Sequence, residues 1–136
     1  MNSINPKTEY NDKKVILSTL WIVVMFNMVF ADIYSIMVEL VNKNTLNDMP
    51  GDVVTVMAVA AIITNVPIMM IFLSRILNSK TNRLINIIAA AITILYVVGG
   101  ASTTPHYIIA ATIEVILLLF IIWTAWNWPK SEDFQK

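Results

Sequence analysis

Four long apolar stretches, at 15–37, 53–73, 84–100 and 107–126, are separated by short polar segments. The shortest has 17 residues, and a helix rising ~1.5 Å per residue needs about 20 to cross ~30 Å of hydrocarbon. The third stretch therefore spans with little tilt or borrows residues from its flanks. Lipid offers no partner for a free backbone group, so even the β-branched run at 115–123 reads as helix. Nothing alternates over ten residues as a barrel strand would. The pattern predicts an all-α polytopic membrane protein, one domain over residues 1–136. Its short connections make consecutive helices antiparallel neighbours in an up-down bundle of four transmembrane helices. The longest connection, 38–52, contains a turn at Met49, Pro50 and Gly51, and the third span stops at Gly99 and Gly100. The two halves share no repeat.

The first span carries signal-peptide features: Lys13 and Lys14 ahead of it, then a small-residue site at Val29, Phe30 and Ala31. Its apolar stretch resumes beyond Asp32 and outruns a signal core, so it is read as a retained span.

Composition agrees with the pattern and narrows the chemistry. Apolar residues make up 57% of the chain and charged residues 13%, about half the usual charged share. The net charge of zero provides no basic surface for nucleic acid. The absence of cysteine excludes disulfide and thiol chemistry, and the one histidine, His106, argues against a histidine-based metal site. No metal or other cofactor is implied.

Orientation follows from Lys and Arg near the span ends. Lys7, Lys13 and Lys14 precede the first span; Arg75, Lys80 and Arg83 lie between the second and third; Lys130 and Lys136 follow the fourth. These eight share one side against Lys43 alone on the other. The expectation is a cell (inner, cytoplasmic) membrane protein with both termini in the cytoplasm. Trp21, Trp123, Trp126 and Trp128 then cluster toward the inner face, and Tyr34, Tyr96 and Tyr107 toward the outer. Arg75 and Arg83 read as topology determinants and headgroup anchors.

Ionisable groups inside a span cost a few kcal/mol and mark candidate sites. Asp32 lies roughly 8 Å below the outer end of the first span and Glu114 roughly 10 Å below that of the fourth, at 1.5 Å per residue. First and last helices of such a bundle are neighbours, so the two carboxyls are expected at one outward-facing polar pocket. Tyr34, Tyr96 and His106 are placed near its mouth, and Asn27 and Asn65, roughly 15 and 18 Å deep, at its floor. Asn27 and Asp32 are about 140° apart around their helix, so they do not point at one small ligand. The plain alternative is that these asparagines only join helices, and that Asp32 reaches interfacial water. Pro67 denies Ile63 its backbone donor and predicts a kink or opening in the second helix. The methionines read as core filler.

Several strings carry a resemblance. They are ADIY at 31–34, PIMMIFLS at 67–74, NR at 82–83 followed by NII at 86–88, IE at 113–114, and WTAWNWP at 123–129. Together they resemble a family of small bacterial four-helix membrane proteins known only as a domain of unknown function, over nearly the whole chain. The resemblance implies the same architecture, picks out Asp32, Arg83, Asn86 and Glu114, and implies no activity. Three function classes follow. The first is a protein that binds or transports a small molecule through the acidic pocket. The second is an accessory subunit whose polar residues only pack helices. The third is an intramembrane acid–base enzyme using Asp32 or Glu114, for which no nucleophile–base pair is present and no catalytic residue is assigned. The bilayer is the one partner the pattern requires; a homo-oligomer stays open.

Overall fold

The computed structural model describes residues 6–42, 52–100 and 102–128. Its four helices are α1 (Pro6–Asn42), α2 (Val53–Ile76), α3 (Ser79–Gly99) and α4 (Pro105–Trp126). All four are long and apolar enough to cross a bilayer. Each packs against its neighbours in sequence and α4 returns to α1, which closes an antiparallel ring. The seam between α2 and α3 is the loosest.

The helix ends have local causes. Pro6 and Pro105 open α1 and α4 at the position where a missing N–H costs nothing. Asp52 caps α2, accepting from the Thr55 amide at 3.2 Å and its hydroxyl at 3.0 Å. Gly100 ends α3. That helix starts at Ser79, five residues before the apolar stretch, so it reaches spanning length by drawing on its polar flank. α1 runs unbroken through Val29 and Ala31. α2 also continues through the buried Pro67, with no break in the helix. The turn expected at Met49, Pro50 and Gly51 lies outside the described residues.

The polarity of the bundle is reversed relative to a soluble one. Phe26, Phe30, Ile62, Leu95 and Phe120 face outward, while Ser18, Ser74, Asn82, Asn86, Thr93 and Thr124 are buried. Lipid tails are as apolar as leucine, so burial of leucine drives nothing, and helices associate through small and hydrogen-bonding side chains. The apolar core comprises Leu17, Trp21, Val24 and Met28 of α1, Met70 of α2, Ala89 and Ala90 of α3, and Leu118 and Ile121 of α4, closed by Trp128. It belongs mainly to the end of the bundle that carries the α2–α3 turn. Among the residues of α2 whose burial is described, every buried one lies at Pro67 or beyond. The first half of α2 is rich in small residues, Thr55, Ala58, Ala60 and Ala61, which do not fill the interior. The bundle is thus filled at the turn end and hollow at the opposite, loop end.

Candidate functional site: an acidic cavity at the loop end

The hollow end is a cavity of about 540 Å³, bordered by all four helices. α1 contributes Met28, Ala31 and Asp32; α3 contributes Tyr96 and Val97; α4 contributes Tyr107 and Glu114. The α2 wall runs from Thr55 to Ile63 and carries no ionisable group. Helix periodicity accounts for these placements. Met28 and Asp32 are four apart and Tyr107 and Glu114 seven apart, so each pair shares one helix face.

Glu114 is 4% exposed, and its Oε1 atom is buried without a hydrogen-bond partner. Such an oxygen is uncommon, because leaving a buried polar atom unpaired costs about 1–3 kcal/mol. The lysines and arginines of the described helices, Lys7, Lys13, Lys14, Arg75, Lys80 and Arg83, all lie at the turn end. Asp32 is eighteen residues along α1 from Lys14, roughly 27 Å at 1.5 Å per residue. Neither carboxyl therefore has a cationic neighbour from those helices.

The rim is held by specific bonds. Tyr107 donates its hydroxyl to the Val97 carbonyl at 2.8 Å, tying the start of α4 to the end of α3. A Cβ at Gly100 would come within 3.3 Å of both that hydroxyl and the Tyr96 carbonyl, so the close approach favours glycine. Asn27 donates to the Ala110 carbonyl at 2.9 Å. That carbonyl lies one helical turn before Glu114, so the bond fixes α1 against the turn that carries the carboxyl.

Among the candidate ligand contacts, Asp32, Glu114 and Tyr96 meet at this cavity. The others do not line it, although the Asn27 amide lies within reach of the Glu114 carboxyl. Asn27 joins α1 to α4 beside the cavity. Asn65 faces outward, donates to Ala61 of its own helix at 2.7 Å, and borders a separate groove between α2 and α3. Its amide does not serve the Ile63 carbonyl freed by Pro67. Tyr34 is 53% exposed and stacks on Phe30, 6.5 Å between ring centres. His106 approaches the Ser35 hydroxyl at 3.3 Å. Tyr107 was not singled out as a site residue, although its spacing of seven from Glu114 could have marked it.

A second polar cluster, at the turn end, surrounds Asn86, which the resemblance marks without its partners. Trp21, expected at the membrane interface, is fully buried and donates Nε1–H to Asn86 Oδ1 at 2.7 Å. The Ser74 hydroxyl donates to the same oxygen at 3.2 Å. The Asn86 amide donates to Asn82 Oδ1 at 2.6 Å, and Asn82 donates to the Ser74 carbonyl at 2.7 Å. Ser18 donates to the Ile71 carbonyl at 2.9 Å and accepts from Arg75 Nε at 3.2 Å. The side chains bonded in this cluster come from α1, α2 and α3. Around it, Lys13 and Lys14 donate to the carbonyls of Asn127 and Arg75, at the C-terminal ends of α4 and α2, and Arg83 lies 5.3 Å from the Trp126 ring centre. Spacings of three between Ser18 and Trp21 and four between Asn82 and Asn86 were the available signals.

Residues 7–134, nearly the whole chain, match a family of unknown function, DUF6326. The chain belongs to that family. DUF6326 carries no assigned activity, so any function must be argued from the site. No curated protein and no solved structure matches the chain.

Proposed function

We propose that this DUF6326 protein holds a small molecule in the acidic cavity, at the outer face of the cytoplasmic membrane, with both chain termini inside. The observation that carries the reading is that Asp32 and Glu114 border one cavity while a buried Glu114 oxygen is without a partner. The amides of Asn82 and Asn86 are satisfied, whereas the Glu114 oxygen, like the Thr124 hydroxyl, is not; of those two residues Glu114 is the one that borders the cavity. The volume of about 540 Å³ falls within the range of roughly 300–1,000 Å³ common to small-molecule sites. The side on which the cavity opens follows from the excess of Lys and Arg at the opposite end.

The absence of cysteine makes the test direct. Single cysteines at Thr55 and Ala60 line the cavity, whereas one at Ile62 faces lipid. A membrane-impermeant thiol reagent added to the outer face of cells or right-side-out vesicles should modify Thr55→Cys and Ala60→Cys and leave Ile62→Cys untouched. An inert Ala60→Cys, or one modified only from the cytoplasmic side, would remove the outward-open cavity.

A further inference from the structure

We infer that the molecule held in this cavity is a lipophilic organic monocation, with Glu114 as its counter-ion; this rests on the binding reading above. Four features of the cavity decide the class. Among the described residues its ionisable lining groups are Asp32 of α1, Tyr96 of α3, and Tyr107 and Glu114 of α4, while the α2 wall supplies none. Two carboxyls with no facing lysine or arginine among the described lining residues disfavour an anionic guest, because like charges at close range in low dielectric repel strongly. Secondly, Glu114 is 4% exposed and has one oxygen with no protein donor, so a cationic centre gains there what the protein leaves unmade.

Thirdly, the remaining wall is largely hydrocarbon: Met28, Ala31, Val56, Met57, Ala60 and Ile63. A bare inorganic cation needs about six or more oxygen ligands in a hard shell, and among the described residues no group of three metal-ligating side chains occurs. An organic cation instead buries its apolar body against those methyl groups. Fourthly, Tyr96 and Tyr107 border the same space, and aromatic rings attract organic cations through their faces. Asp32 stands nearer the loop end of α1 than Met28 and is exposed, placed to draw a cation in, while the buried Glu114 retains it.

Charge and shape are separated by three probes: tetraphenylphosphonium, the isosteric anion tetraphenylborate, and neutral triphenylphosphine oxide. Purified Ala60→Cys protein in detergent is exposed to a small thiol reagent with increasing amounts of each probe. Tetraphenylphosphonium should slow modification in a saturable way, and tetraphenylborate should not. Glu114→Gln in the same background should weaken protection by about tenfold or more, the loss of one charge-assisted contact, with Glu114→Asp intermediate. Thermal unfolding of each variant confirms that the bundle is intact. Equal protection by all three probes, or a Glu114→Gln variant protected as well as its parent, would overturn the cationic class and leave a cavity that binds by shape. Protection by the neutral or anionic probe alone, or by none of them with Ala60→Cys freely reactive, would overturn it too. An Ala60→Cys that never reacts would overturn the cavity reading itself.

Discussion

Replacing Asn86 by leucine, matched to it in branching and in number of side-chain heavy atoms, should destabilise the bundle by about 2 kcal/mol, and most of that loss should travel through Trp21. In the native cluster Asn86 Oδ1 accepts from Trp21 Nε1 at 2.7 Å and from the Ser74 hydroxyl at 3.2 Å. With leucine there, the serine hydroxyl can turn back to a carbonyl of its own helix at little cost. The indole has no such recourse, being a donor only, rigidly placed and fully buried. An orphaned buried donor costs about 1–3 kcal/mol, whereas an ordinary hydrogen bond between membrane helices averages only ~0.6 kcal/mol. The first figure governs Asn86→Leu. Trp21→Phe removes the donor without orphaning Asn86, which keeps Ser74, so its cost comes mainly from the lost ring volume. The double variant should therefore be less damaged than the sum of the singles, by about 1 kcal/mol. The assay is reversible unfolding by sodium dodecyl sulfate in mixed micelles, followed by far-ultraviolet circular dichroism on all four proteins. Asn65→Leu serves as control, since that exposed amide bonds only within its own helix and should change stability by less than about 0.5 kcal/mol. Additivity of Trp21→Phe and Asn86→Leu within ~0.3 kcal/mol would refute the coupling.

Gly100→Ala should destabilise by roughly 0.5–1.5 kcal/mol, because its Cβ meets the Tyr107 hydroxyl and the Tyr96 carbonyl at 3.3 Å; adding Tyr107→Phe should recover part of that loss in the same unfolding assay. Glu114→Leu should unfold no earlier than wild type, since it replaces a buried polar group left half unsatisfied, and a loss above about 2 kcal/mol would mean that the carboxyl has a structural partner. For topology, a reporter fused after Lys136 should be active if it works in the cytoplasm and silent if it needs export. Single cysteines at Asn47 and Thr103 should label from outside; labelling of Ser79→Cys from outside would reverse the orientation.

The sequence by itself determined how many helices there are and which ends they share. Backbone groups in hydrocarbon have no alternative to helix, so four apolar stretches of this length mean four spans. The similar depth of Asp32 and Glu114 was also legible, because antiparallel helices have a constant rise and both residues are counted from the same end of the bundle. Rotation about each helix axis was not. A soluble helix announces its buried face by contrast with a polar one, but α2 and α4 are apolar almost all round, and lipid makes outward leucine and inward asparagine equally acceptable. Packing alone therefore turned Asn65 outward, drew Trp21 inward onto Asn86, and brought Tyr107 against Gly100. It also left the described residues in the first half of α2 unburied, and so decided that the two carboxyls border a cavity rather than a filled core.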